Sequence, residues 1–425
     1  MESRQYFLDP EQLRVGIYVH LDLGWMDHPF TFNNFKIKNE KQLDQVKQLG
    51  LKRFRYDPLR SDCEPLPKAP PAAVPPPVAA PTPVEVPEDQ PGVMDEFHTK
   101  RLEQLQDAIH ECERKFMAAS TTVRQATRNI KTQPRQVIKD VESLISDMVD
   151  SVMTESDVIL HAMNGHTMGD ESYVHALNVS VLALMLAKSL DMTVEDARHL
   201  GMAAIFHDMG KSEIPDRVLL KTDPLTKAEQ SLVEQHTEIG ARLAREVEMN
   251  ARIVKVIMQH HECADGSGYP LGLKLDAIDP LARLVAIVNT YDNLCNPLNA
   301  AQSMTPYEAL SHMFATQRNK FDSAMLKLLI KCLGVYPPGS IVYLSSGEYG
   351  IVLSVNPSKP LRPFVMLHMP EVPRETPMIL DLSELPNMNI TKCLRVNQLP
   401  KDVYDYLSPR KRISYFMNRD SAGES

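Results

Sequence analysis

The sequence predicts a mainly α chain, with a small α/β module at its N-terminal end and a small β appendage after its helices. Three observations carry this. Helical periodicity dominates residues 93–335, short β-branched runs broken by turn residues follow Gly334, and a proline-rich stretch sets the first sixty residues apart.

Residues 1–62 form the first unit. YFLDPEQLRVGIYVHLDLGW reads as short strands, and EKQLDQVKQLG as a helix closed by Gly50. Residues 63–92 are a linker: between Pro65 and Pro91, eleven of 27 residues are proline, mixed with alanine and valine, which favours an extended spacer over a core. Residues 93–163 are charged and helix-forming, interrupted by Pro134, and Val137, Val141, Leu144 and Met148 recur at three-to-four spacing. That stripe suits packing on the next domain or a homodimer.

Residues 164–335 form a helical domain. Thr193 and Asp196 mark one helix start, and Leu225, Thr226 and Glu229 give a hydrophobic residue, a cap and a capping-box partner for another. Residues 336–407 hold the β-branched runs, separated by SSGEYG and NPSKP turns. Residues 408–425 read as a polar tail.

Composition narrows the function. With 425 residues and 43% apolar side chains the chain can bury a proper core. Its net charge of −9 argues against a nucleic-acid polymer as partner. The longest apolar run, Val179–Ala187, is too short to span a bilayer, and no signal peptide is visible, so a cytoplasmic location is expected. Cys63, Cys112, Cys263, Cys295, Cys332 and Cys393 are scattered, without disulfide or thiolate-zinc spacing.

The chemistry lies in the histidines. His175 sits in SYVHALNVSVLALMLAKSL, apolar on nearly every face, and His207-Asp208 end the next helix. His236 shares a face with Leu232, Ile239 and Leu243, and His260 with Ile253, Val256 and Ile257. Any one of these is most simply a hydrogen-bonded core histidine. Five inward histidines from four helices, beside a carboxylate, would each cost several kcal/mol if unpaired, on the order expected for buried polar groups, and most economically share metal.

A nitrogen and oxygen donor set without thiolates suits iron, manganese, zinc or nickel rather than calcium or magnesium. The donors exceed what one ion takes. Two divalent ions bridged by Asp208 are therefore expected, with Lys211 offsetting charge on a phosphoryl oxygen, and the implied reaction is phosphodiester hydrolysis. The following HHECADGSGYP, residues 260–270, adds a turn at Asp265, Gly266 and Gly268, stiffened by Pro270, which fits the rim of a pocket.

These residues resemble the HD-GYP domain, a bacterial branch of the HD-domain metal-dependent phosphohydrolases that hydrolyses cyclic di-GMP. His207-Asp208 look like its HD signature, Asp208-Met-Gly-Lys211 its DxGK, and Gly268-Tyr269-Pro270 its GYP. EIPDRVLLK, LTKAEQSLVEQHTEIG and His260-His261 extend the match over about 170 residues, and the first sixty resemble a module often found ahead of such domains. The resemblance implies Glu171, His175, His207, Asp208, His236, His260, His261 and Asn289 as metal-ligand positions. It further implies Asp208 and Lys211 as catalytic groups, Lys211, Asp265, Gly266, Tyr269 and Pro270 as substrate contacts, and iron or manganese as the metal.

Two departures stand out. IVNTYDNL places Asn289 where the family has a ligand aspartate, with Asp292 retained; the amide binds a metal more weakly and argues against a third ion. CNPLNAAQSMTPYEAL lacks the family's arginines, leaving Arg242, Arg283 and Arg318 as substitutes. The expectation is an enzyme converting cyclic di-GMP to linear pGpG, with either pGpG or GMP as the end product. The other readings are a cyclic di-GMP receptor or scaffold for diguanylate cyclases, and a hydrolase of another nucleotide phosphate.

Overall fold

The computed structural model describes residues 6–21, 34–66 apart from 48, 50, 52 and 59, 94–154, 158–162, 171–355, 359–373, 377–407 and 415–419. Most of the expected proline-rich linker lies outside them. The chain divides into two compact units, Met1–Pro91 and Gly92–Ser425.

The first unit is an antiparallel sheet with one helix. Strands β1 (Tyr6–Leu8), β2 (Tyr18–His20), β3 (Asn34–Lys36) and β4 (Phe54–Tyr56) are ordered β1-β4-β2-β3, and α1 spans Glu40–Lys47. Leu13, Ile17, Val19, Ile37, Val46 and Phe54 close its core.

The second unit is mainly helical. Two long helices lead in, α2 (Met94–Asn129) and α3 (Pro134–Thr154). Proline at the first position of α3 needs no intrahelical N–H partner, so Pro134 starts a helix rather than breaking one. Val137, Val141 and Met148 are buried in the same core as α4 (Glu171–Ser189) and α5 (Val194–Phe206), so the stripe packs within the chain.

Helix α4 is central, lying against α2, α3, α5, α10 (Pro280–Cys295) and α12 (Ser323–Leu333). Between them come α6 (Asp216–Leu219), α7 (Lys227–Glu234), α8 (His236–Glu246), α9 (Ala251–Gln259) and α11 (Pro306–Thr316). The expected caps are present: Thr193 accepts from the Asp196 N–H, and Thr226 with Glu229 forms a capping box. The helix break at Gln235 changes the expected face of α8. Its inward residues are His236, Gly240 and Ala244, while Ile239 and Leu243 are half-buried.

The β appendage differs from its expectation at both margins. Strands β6 (Ile341–Leu344), β7 (Tyr349–Ser354), β8 (Phe364–Leu367), β9 (Ile379–Asp381) and β10 (Ile390–Leu394) pair antiparallel, followed by α13 (Lys401–Leu407). They are joined by β5 (Val158–Ala162), from the segment read as helical, and β11 (Tyr415–Arg419), from the segment read as tail. These two pair antiparallel, Tyr415 opposite Ala162 and Arg419 opposite Val158. Each is five residues long and gains its ladder only from a partner far along the chain, so neither shows a strong local signal. No helix among the described residues is long and apolar enough to cross a membrane.

Candidate metal centre

Each histidine arrives at the centre from the end or face of a different helix. His207 caps the C-terminus of α5, His260 that of α9, His236 opens α8, and His175 lies one turn into α4. His207, His236 and His260 are fully buried.

Three rings are fixed by a carbonyl three residues earlier in the chain. Nδ1 of His207 donates to the Ala204 carbonyl at 2.7 Å, Nδ1 of His236 to Val233 at 2.6 Å, and Nδ1 of His260 to Ile257 at 2.7 Å. A carbonyl can only accept, so in the neutral ring the proton sits on Nδ1 and Nε2 keeps its lone pair. His175 reaches the same state differently, its Nδ1 donating to Asp292 Oδ2 at 2.6 Å.

All four Nε2 atoms therefore aim lone pairs into one space. His236 and His260 bring theirs to 3.2 Å, and so do His175 and His207. Asp208 lies between the pairs. Its Oδ1 is 3.3 Å from His236 Nε2 and 3.8 Å from His260 Nε2, while Oδ2 is 3.4 Å from His207 Nε2 and 3.8 Å from His175 Nε2. Oδ1 is buried without a hydrogen-bond partner. Lone pairs facing one another and an orphaned carboxylate oxygen are unfavourable alone, and a cation between them turns each contact into an attraction. The donors fall into two groups of metal-ligating geometry sharing Asp208: Asp208, His236, His260 and His261, and His175, His207 and Asp208.

Electrostatics prepare these donors. Burial, reinforced by the neighbouring rings, lowers His260 to about 3 and holds His261 well below the usual imidazole range; burial also lowers His207, against the pull of Asp208. Burial raises Asp208, but His207 and Lys211 outweigh it and hold the carboxyl well below its usual range. His207, His260 and His261 are thus held neutral and Asp208 ionised near neutral pH, the states that bind metal.

Lys211 Nζ lies 2.6 Å from Asp208 Oδ2 and its side chain is 39% exposed, so the ammonium sits at the mouth of the centre. Gly210 lets this turn approach α8: a Cβ there would strike the His236 carbonyl and the Gly240 nitrogen. Tyr269 stacks on His261 with ring centroids 4.6 Å apart and 18° between planes, and burial pushes its phenol up. At Gly268 a Cβ would collide with the backbone of His261 to Cys263, and Gly266 has φ of +84°. Asp265 is exposed, and its Oδ1 accepts from Ser267 N and Oγ at 2.9 and 2.6 Å, shaping the loop. Pro270 follows a cis peptide bond.

Other expected positions behave differently. Asn289 is buried on α10, its amide oxygen accepting from Asn293 at 2.7 Å. Glu171 opens α4, but its side chain lies outside the described residues. Arg242 is tied to Glu213 and Glu246, and Arg283 to Asp322 and the Ile278 carbonyl, so both are structural. Arg318 is exposed in a 3-10 turn, Arg318–Lys320, whose Lys320 carbonyl accepts from Ala264 in the HHECADGSGYP loop.

Two carboxylates support the site in roles the sequence reading did not assign. Glu262 is buried, and its oxygens accept from the Leu271 and Leu273 amides at 2.7 Å each, pinning the loop that carries Tyr269. An acid directly after a ligand pair was the available signal. Asp292 is fully buried; besides His175 it accepts from Asn178 at 2.7 Å and Asn296 at 2.9 Å. Asn296 lies one turn on, whereas Asn178 is remote in sequence.

Comparison with known proteins gives the chain's family. Residues 136–325 match the HD domain, 7–141 a domain of unknown function (DUF3391), and 341–402 a KOW domain associated with the HD domain. A cyclic di-GMP phosphodiesterase of Pseudomonas aeruginosa is 30% identical over 361 residues, covering 83% of each chain. The cyclic di-GMP phosphodiesterase response regulator RpfG of Xanthomonas campestris pv. campestris is 36% identical over 158 residues, 36% of this chain and 41% of that one. A 3′3′-cGAMP-specific phosphodiesterase of Vibrio cholerae is 28% identical over 161 residues, 38% of this chain and 37% of that one. Fold and comparisons define an HD-domain phosphohydrolase, of a family that is metal-dependent, with His/Asp clusters that could hold metal. Within that class the chain belongs to the HD-GYP family of phosphodiesterases.

Proposed function

We propose that this protein hydrolyses cyclic di-GMP to linear pGpG, and onward to GMP, using two divalent ions, iron or manganese, that Asp208 and the histidines would hold. The observation that carries the proposal is the division of the Asp208 carboxylate, one oxygen toward His236 and His260 and the other toward His175 and His207. The first ion would be held by Asp208, His236, His260 and His261, the second by His175, His207 and Asp208, with Asn289 a candidate neutral donor. When bound, the ions supply Lewis-acid activation of the phosphoryl group and a nucleophile from water.

The remaining work falls to side chains. Water adds across the phosphorus to ribose oxygen bond, its oxygen to phosphorus and its proton to the departing ribose oxygen. Lys211 leaves its pair with Asp208 to offset charge on the phosphoryl oxygens. Tyr269, stacked on His261, walls the pocket, and the Gly266 to Pro270 loop brings backbone close to the dinucleotide. Arg318, on the turn bonded to that loop, is the best placed of the substitute cations. Removal of cyclic di-GMP would give the protein a signalling role, such as control of motility or biofilm growth.

Asn289 favours a second reading. Its amide oxygen already accepts from Asn293, so the site carries less anionic ligation than an aspartate would give, and a receptor or scaffold for diguanylate cyclases would need no more. Turnover of cyclic di-GMP by anaerobically reconstituted protein separates the two. His207→Ala and Asp208→Ala are expected to cut the rate by about 10²- to 10³-fold with the fold retained, as loss of a charge-stabilising group does. Wild-type activity in either variant would overturn the enzyme reading, and tight binding without turnover in the wild type would favour the receptor.

A further inference from the structure

The strand β11 makes a contact that its place in the sheet does not require. The backbone N–H of Tyr415 donates to Asn178 Oδ1 at 3.0 Å, and both residues are fully buried. Asn178 Nδ2 in turn donates to Asp292 Oδ1 at 2.7 Å, and Asp292 Oδ2 holds His175 Nδ1 at 2.6 Å. A second contact ties the same strand to α10, since the Tyr415 and Tyr291 hydroxyls lie 2.9 Å apart.

An amide can face Asp292 with either its NH₂ or its oxygen, and only the first is attractive. The Tyr415 N–H fixes that choice by occupying the oxygen. The bonded carboxylate then keeps the proton of His175 on Nδ1, orients the ring and raises the basicity of Nε2. No comparable relay is needed at His207, His236 or His260, each of which is bonded to a carbonyl three residues earlier in the chain.

We infer that Asn178 and Tyr415 are positioning residues, through which β11 sets the strength of the His175 side of the metal centre while leaving the His236 side independent. This rests on the two-ion reading above and adds to it an asymmetry: one ion is controlled by the β appendage. The appendage also meets the helical domain at Arg395, whose Nε bonds Glu308 at 2.7 Å, a contact outside the relay.

The test is anaerobic titration with Co(II), whose visible absorption reports each ion's ligands, in wild type, Asn178→Asp, a deletion of Tyr415–Arg419, and Arg395→Ala. Asn178→Asp keeps the acceptor for Tyr415 but sets a carboxylate against Asp292. Both it and the deletion are expected to weaken one of two Co(II) ions by about 10-fold or more, the scale of outer-shell effects on metal affinity, and to alter that ion's spectrum. The other ion and the Arg395→Ala titration should match wild type. Metal-free melting curves identify any variant that fails to fold, in which case Asn178→Asp alone decides. Equal weakening of both ions, or none, in a folded Asn178→Asp protein overturns the inference while leaving the two-ion reading intact. A wild type that binds no Co(II) overturns both.

Discussion

The two sides of the centre are built by different means. On one, His236 and His260 are oriented by carbonyls three residues earlier in the same chain segment. On the other, His175 is oriented by Asp292, 117 residues away, which is itself held by Asn178 and, through it, by Tyr415. His207 belongs to the second donor group but is fixed in the first manner. Locally fixed ligands form as soon as their helix turn forms, whereas remotely fixed ones need the whole domain assembled. The first kind gives a site robustness, and the second gives distant elements a hold on it.

This contrast can be broken at its remote anchor. Asp292→Asn leaves His175 in place but removes the charged partner of its Nδ1. Metal affinity is expected to fall about 10- to 100-fold, the range for losing an outer-shell partner, at one of the two ions. Equilibrium dialysis against Mn(II) reads this directly; unchanged affinity for both ions would mean that Asp292 does not support His175.

A smaller effect sharpens the local side. His207 and His260 titrate below the unfolded value near 6.5, to about 3 for His260, because burial disfavours the charged ring. Below about pH 6.5 the unfolded chain takes up protons that the native metal-free protein refuses, so stability falls as pH falls. The slope is up to about 1.4 kcal/mol per pH unit for each such ring, until the folded ring itself protonates. Asp208, held low, is lost from the balance only below its unfolded value near 4, so the window between is set by histidine. Urea unfolding of the metal-free protein at pH 7.0 and 5.5 should show the loss, and equal or greater stability at pH 5.5 would contradict it.

What was legible in the sequence divides along the same line. His207, Asp208 and His260 could be placed because helical period and cap chemistry are local, and a neutral or ionised donor in an apolar stripe declares itself; His236 was singled out, but with the wrong helix face. The capping box at Thr226 was legible for the same reason. Asp292 as the anchor of His175, Asn178 as its amide clamp, and the pairing of Val158–Ala162 with Tyr415–Arg419 were not, since each joins residues separated by more than a hundred positions. The break at Gln235 also went unseen. HTEIGARLARE continues the apolar pattern of the helix before it, and only the close approach of Gly210 to Gly240 selects the face actually buried.

Both sides of the centre meet in Asp208, so the count of ions held through it tests the account most directly. Metal analysis of protein purified and reconstituted anaerobically with Fe(II) or Mn(II), alongside Asp208→Ala, is the measurement. The account predicts two ions per chain in the wild type and weakened binding of both in the variant. A single ion in the wild type, or two ions bound undiminished by Asp208→Ala, would contradict it.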